Sequence, residues 1–393
     1  DMFEGVKLMD LSEAVEKGLV EYVKDEVYDE YLKCVKAQQA NEGICKGADL
    51  KVVYTPLNGT GNKLVRRVLS EIGVDNVSIV KEQELPDGNF PTCPFPNPEI
   101  REALELGLKM CDEVKPDLLL ATDPDADRVG IAVPEKDGSY RLITGNETGI
   151  MLTDYLLRVK SEQGTLPENP IIVKTIVSTQ LVKRICKDYG CEMVDVLTGF
   201  KYIGEQIKFF EQTGSNNYVF GLEESYGCLP GTYARDKDAP AAVVMLCEVA
   251  AYYKSKNMTL WDGMIEMYEK YGYYKEDIET LTLKGIDGAA QIAALMEKAR
   301  TEVPATIGDY EVLEVIDYKA CTRKNMKTGE VTPSGLPSSN VFYYVLNDDA
   351  WCCVRPSGTE PKIKFYFGIK GTSLEDANQK NEALKKATMA MFE

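Results

Sequence analysis

The run Ala121-Thr122-Asp123-Pro124-Asp125-Ala126-Asp127-Arg128 places three carboxylates at alternate positions. Anions this close repel one another and raise each other's pKa unless a cation lies between them. Hard divalent ions take carboxylate oxygens, and Mg²⁺ in particular is held by a few carboxylates together with substrate oxygens. Asp123, Asp125 and Asp127 are therefore candidate metal ligands, with Arg128 as an adjacent positive group. A solvated acidic turn is the competing reading. Far downstream, Arg355-Pro356-Ser357-Gly358-Thr359-Glu360-Pro361-Lys362 collects the parts of an anion site. Arg355 offers a planar fork suited to phosphate. Ser357 and Thr359 bring hydroxyls, Gly358 lets backbone N–H groups approach an anion, and Lys362 adds a second cation. A polar hairpin turn with incidental charges is the alternative there. The chain contains no histidine. Ser-His-Asp and Cys-His arrangements are excluded, so proton transfer falls to Lys, Arg, Asp, Glu, Tyr or water.

The elements that position these residues repeat. Lys51-Val52-Val53-Tyr54-Thr55 and Ile171-Ile172-Val173-Lys174-Thr175 each read as a strand leading through a hydroxyl-rich turn into a helical pattern. Each is followed by a second strand (Val77–Val80; Glu192–Val196), a further helix and a third strand (Asp117–Leu120; Tyr218–Phe220). Each third strand ends in an acidic loop, the first being Asp123–Arg128 and the second holding Glu223, Glu224 and Ser225. An offset of roughly 100–120 residues marks two copies of one unit. Alternating strands and helices imply mostly parallel sheets with ligand loops at strand C-termini, so both loops should face one cleft. Before the repeat, Val15, Leu19, Val23, Val27, Tyr31 and Val35 recur at helical spacing and predict one or two helices. After it, 311–316, 341–345, 350–354 and 363–367 read as successive strands, with a final helix from about Ser373. The stretch Lys324–Asn340 reads as a surface loop, and Asn58-Gly59-Thr60-Gly61 either presents N–H groups at a helix start or is a structural turn. The expected fold is α/β: two repeated α/β domains with mixed, mostly parallel sheets, then an α+β C-terminal domain with an antiparallel sheet. The expected boundaries are 1–45 (helical connector), 46–155, 156–272 and 273–393.

On these motifs the chain resembles the α-D-phosphohexomutase superfamily, the phosphoglucomutases and phosphomannomutases. Asp123–Arg128 is similar to that family's metal-binding loop. Gly221-Leu222-Glu223-Glu224-Ser225-Tyr226-Gly227 is similar to its sugar-specificity loop, and Arg355–Lys362 to its C-terminal phosphate-binding loop, in the same order. The resemblance implies interconversion of hexose 1-phosphate and 6-phosphate through a phosphoserine and a sugar 1,6-bisphosphate intermediate. It implies Mg²⁺ on Asp123, Asp125 and Asp127, with Arg128 assisting phosphoryl transfer. Glu223 and Ser225 would contact sugar hydroxyls, with Glu224 turned away. Lys237 and the run Thr198-Gly199-Phe200-Lys201 would contribute further contacts, chiefly Gly199 and Lys201. On spacing alone, Lys237 between Asp236 and Asp238 reads as a solvated lysine. Tyr226 after the serine follows the glucose-type branch. The family's Thr-Ala-Ser-His-Asn-Pro-like serine motif is absent. It is expected on a preceding domain of the same protein, a partner without which this chain should not turn over. The open alternatives are a phosphopentomutase, a Mg²⁺-dependent phosphatase of the haloacid dehalogenase type using Asp123 as nucleophile, and a non-catalytic phosphosugar-binding protein.

The formal charge of −18 over 393 residues argues against nucleic acid or anionic membrane as partner. No apolar stretch approaches the ~20 residues of a membrane span, and no signal-peptide pattern is visible. Eleven cysteines without repeated CxxC spacing, and no histidine, give no zinc site. Reduced thiols and a cytoplasmic location are expected. Cys352-Cys353 falls on a strand, where neighbours face opposite ways, and reads as structural.

Overall fold

A computed structural model describes residues 4–283, 287–357 and 361–392. The first sheet has strand order β2-β1-β3-β4-β5, from β1 (Lys51–Thr55), β2 (Asn76–Ile79), β3 (Leu118–Thr122), β4 (Val129–Pro134) and β5 (Tyr140–Ile143). The second has order β7-β6-β8-β9, from β6 (Pro170–Thr175), β7 (Glu192–Val196), β8 (Asn217–Leu222) and β9 (Cys228–Pro230). In each, the first strand pairs parallel with the second and third, and the third turns back into an antiparallel hairpin. The two sheets are therefore the same unit built twice. Their central strands are near-continuous apolar runs because both faces are covered. In the first sheet, Val53, Leu119 and Ala132 pack under α4 (Arg101–Val114). Val52, Tyr54 and Leu120 point the other way, toward α3 (Gly61–Ile72) and α8 (Ala239–Ser255). In the second sheet, Ile171, Val173 and Leu229 pack on α7 (Phe200–Thr213). Ile172, Phe220 and Leu222 return to the shared layer with α5 (Gly145–Glu162), α6 (Leu181–Asp188) and α8. The helix α8 is apolar on every face but for Glu248, Ala241 to Ala251 being buried throughout, because it lies between the two sheets.

The third sheet is antiparallel, in order β10-β17-β16-β15-β12-β13-β14. Its strands are β10 (Tyr273–Thr282), β12 (Tyr310–Asp317), β13 (Thr322–Asn325), β14 (Val331–Pro333), β15 (Phe342–Leu346), β16 (Trp351–Pro356) and β17 (Lys362–Gly371), with the short β11 (Thr306–Ile307) on β12. One face packs on α10 (Gly288–Thr301) and α11 (Leu374–Ala390). The other carries Tyr343, Trp351, Cys353 and Tyr366 against Ile176, Val177 and Leu197 of the second unit. Cys352 and Cys353 do face opposite sides, one in each cluster.

The first 40 residues form two helices, within the expectation of one or two, with a break between them: α1 (Leu11–Glu16) stops before Gly18, whose φ is +68°, and α2 (Asp25–Lys36) starts afresh. Leu19 and Val23 lie in neither helix and are exposed. The stretch Lys324–Asn340 contains β14 paired with β13, a polar edge hairpin rather than a bare loop. Finally, β10 forms a ten-residue edge ladder with β17, from Tyr273↔Gly371 to Thr282↔Lys362, that no reading of the sequence included. Among the described residues no helix is long and apolar enough to cross a membrane. The remaining helix α9 (Leu260–Tyr271) follows α8 and caps the same shared layer.

Candidate functional site

The two acidic loops occupy the same hairpin of the two units, β3–β4 and β8–β9. Each places a non-glycine residue in the left-handed region at its fourth position, Ala126 (φ +57°) and Tyr226 (φ +70°). That backbone costs about 1 kcal/mol or more and persists only where surroundings enforce it. Here each loop enforces the other. Arg128 and Gly227 form an antiparallel bridge, and the Val129 N–H donates to the Tyr226 carbonyl at 3.3 Å.

In the first loop the carboxylate oxygens of Asp123, Asp125 and Asp127 lie within 4.8 Å of one another. Asp123 is fully buried. Its Oδ1 accepts the N–H groups of Asp127 (3.0 Å) and Arg128 (2.9 Å), and its Oδ2 accepts from Arg128 Nε at 2.7 Å. Each carboxylate oxygen has two lone pairs, so one remains on Oδ2. Burial pushes the Asp123 carboxyl up to about 6, against the pull of Arg128. Asp125 is exposed and Asp127 half-buried. Three hard oxygen donors around one point, one of them desolvated and carrying a spare lone pair, fit a small divalent cation. Arg128 also reaches Glu99 at 3.2 Å.

In the second loop Glu223 is buried, and its Oε1 accepts the Gly199 N–H at 2.9 Å. Gly199 caps α7 with φ +118°, a conformation that favours glycine. Burial first, then the neighbouring Glu224 charge, push Glu223 up to about 7. Glu224 turns the other way, accepting from Thr175 Oγ1 at 2.9 Å. Burial raises its pKa, while the positive fields of Arg355 and Lys364 on the third sheet act against that. Ser225, next in the loop, is half-buried.

Lys237 is not the solvated lysine that its neighbours suggest. It bridges Asp127 (3.0 Å) and Asp236 (2.7 Å), and its side chain is 15% exposed. Burial opposes its charge, but those two partners outweigh burial and hold its pKa above the ordinary value. Asp238 turns inward, caps α8 through the Ala241 N–H, and accepts from the hydroxyls of Tyr31 (2.7 Å) and Tyr233. Lys201 is exposed but lines, with Asp125, Asp127, Lys237 and Tyr31, an open cavity of about 930 Å³. Arg355 donates to the Tyr366 hydroxyl at 3.3 Å, and the Ser357 N–H meets the Lys362 carbonyl at 2.7 Å. Gly358 and Thr359 lie outside the described residues. The turn Asn58–Gly61 serves structure: Thr60 N–H donates to the Pro124 carbonyl, and a Cβ on Gly59 would strike Pro124. Sequence reasoning missed Tyr31, Glu99, Thr175 and Asp238. Tyr31 alone carried a signal, standing where its helical stripe calls for an aliphatic residue.

The family described as phosphoglucomutase/phosphomannomutase, alpha/beta/alpha domain II, matches residues 29–138, and its domain III matches 144–271. A phosphoglucomutase of Staphylococcus saprophyticus is 34% identical over 374 residues, covering 95% of this chain. That of Staphylococcus haemolyticus is 34% identical over 367 residues, covering 93%. The chain spans 66% and 65% of the lengths of these relatives. Among solved structures, a phosphoglucomutase/phosphomannomutase family protein from Burkholderia thailandensis aligns with TM-score 0.60 at 18% identity, covering 93% of this chain and 64% of that one. The open form of Paramecium parafusin aligns with TM-score 0.62 at 16% identity, covering 93% and 62%. These two likenesses are of fold.

Proposed function

The chain belongs to the α-D-phosphohexomutase superfamily, and from that premise we propose that its three loops hold a phosphosugar for mutase chemistry between hexose 1-phosphate and 6-phosphate. The single observation that supports this reading is the Arg128–Gly227 bridge, which joins the hairpin carrying the carboxylate triad to the hairpin carrying Glu223. Asp123, Asp125 and Asp127 would hold Mg²⁺, which when bound neutralises charge on the transferring phosphoryl group. Arg128 orients Asp123 and adds positive charge beside it. Lys237 keeps Asp127 in place and faces the same cavity. Ionised Glu223, fixed by the Gly199 N–H, accepts from a sugar hydroxyl, and Ser225 from or to its neighbour. Arg355, Ser357, Gly358, Thr359 and Lys362 take the phosphate that is not reacting. Reaction at either end of the sugar requires that this loop accept both ends in turn, through a sugar 1,6-bisphosphate. The phosphoryl donor of this scheme is a phosphoserine that the present sequence does not supply, and this chain alone is proposed to bind without turning over. The chain would divide near residues 45, 155 and 272 into a connector, a metal-binding unit, a sugar-binding unit and a phosphate-binding unit.

Calorimetric titration of glucose 1-phosphate and ribose 1-phosphate with Mg²⁺ tests it. The parent should bind one of them saturably, and Arg355→Ala should weaken that binding about tenfold or more, the scale of a charge-assisted phosphate contact. Preference for ribose 1-phosphate would favour the phosphopentomutase alternative. Equal affinity in parent and variant would remove the phosphate loop from the site.

A further inference from the structure

A second cavity, of about 830 Å³, lies on the far side of the second unit, where α6 and β7 face the third sheet. It shares no lining residue with the cavity beside the metal loop. Its size is that of a site for a small organic ligand and far exceeds a single inorganic anion. Its sheet wall is aromatic, with Tyr318, Tyr343 and Trp351 packed largely buried against the second unit, the last two stacked at 5.3 Å, so that they offer the cavity their edges. Its helix wall is cationic, with Lys183, Arg184 and Lys187 from one short helix. Arg184 is committed to Asp349 at 2.7 Å. Lys183 and Lys187 are not: among the described residues neither forms an ion pair. They stand four apart on one helix face, where like charges repel and destabilise the helix. Two exposed cations at that spacing without an ion pair, in a chain of charge −18, offer a site for an anion between them. Asp348 on the wall can accept from hydroxyl or amino groups, whereas Asp195 is paired with Lys174 at 2.6 Å.

We propose that this cavity binds a nucleoside phosphate, its phosphates on Lys183 and Lys187 and its base against the Tyr318–Tyr343–Trp351 wall. The site is separate from the phosphosugar cleft and does not depend on the mutase reading. An occupant touches both the second unit and the third sheet. Within that sheet, β16 carries Trp351 at this cavity and Arg355 at the phosphate loop.

The test is calorimetric titration of the full chain with ATP and, separately, with inorganic tripolyphosphate, both without Mg²⁺. The same titrations are run on Lys183→Glu/Lys187→Glu and on Arg355→Ala. Saturable ATP binding, weakened at least tenfold by the double charge reversal and unchanged by Arg355→Ala, is expected, with tripolyphosphate weaker than ATP. Both lysines are exposed, so the double variant should fold, and its melting temperature checks this. Absence of saturable ATP binding overturns the proposal, as does equal affinity in the double variant. Loss through Arg355→Ala would place the nucleotide in the phosphosugar cleft instead, and equal binding of tripolyphosphate would refute the aromatic wall as a base site.

Discussion

Gly145→Ala sets two effects of opposite sign against each other. Gly145 opens α5, where alanine would ordinarily stabilise the helix by about 0.5–1 kcal/mol. A Cβ there would sit 2.7 Å from the Tyr226 nitrogen and closer still to the Glu224 carbonyl oxygen. Ordinary contact begins near 3.4 Å, so the β8–β9 loop would have to withdraw by more than about 0.7 Å, the nearer Glu224 oxygen setting the distance. It is not free to do so. The Arg128–Gly227 bridge, the Val129 N–H to Tyr226 carbonyl bond and the Thr175–Glu224 bond hold it from three sides. Forcing a methylene into such packing costs about 1–3 kcal/mol, which exceeds the helix gain. The variant should therefore be less stable than the parent by roughly 0.5–2 kcal/mol in urea unfolding. Displacing Glu223 and Ser225 should weaken phosphosugar binding about tenfold, the equivalent of one or two good hydrogen bonds. A variant more stable than the parent, with unaltered affinity, would mean that the loop is soft and that close packing does not position it.

Arg128→Ala leaves the buried Asp123 carboxylate with its backbone donors but without its cation. A stability loss of about 1–3 kcal/mol is expected, below the full value for a buried pair because Arg128 is part exposed. Mg²⁺ should restore part of it in paired thermal melts; no difference between melts with and without Mg²⁺ would count against the metal assignment. Glu223 sits near 7 in the fold against 4.5 as an ordinary carboxyl, so the folded state takes up its proton first as pH falls. Stability should therefore rise from pH 7 toward 4.5 and lose this rise in Glu223→Gln, while phosphosugar affinity strengthens as pH climbs through 7; superimposable urea-unfolding profiles of parent and variant across pH 5–8 would refute it.

What the sequence disclosed follows from how each part is buried. The duplicated unit was legible because strands covered on both faces must be continuous apolar runs, such as Leu118-Leu119-Leu120 and Ile171-Ile172-Val173. The acidic triad was legible because its ligand atoms come from one loop. By contrast, β10 reads Tyr-Tyr-Lys-Glu-Asp-Ile-Glu-Thr-Leu-Thr, charged because it is an edge strand, and its burial alternates only over the second half, between half-buried and exposed, with no apolar face to mark it. The polar hairpin of β13 and β14 hid for the same reason. Tyr31 and Asp238 meet across 207 residues of chain, and Lys237 meets Asp127 across more than a hundred. Side-chain partners at that separation leave no trace in local spacing. They become visible only once α8 is seen to bring its N-terminus beside the first loop.

The bridge between the two hairpins also limits how this protein can vary. A surface loop usually tolerates inserted residues, since lengthening it costs little entropy. Neither acidic loop has that freedom, because each is tied to the other by the bridge between Arg128 and Gly227. An insertion in one would shift the register of both. The two copies of the unit can diverge in side-chain chemistry, aspartates in one and glutamate and serine in the other, but not independently in length.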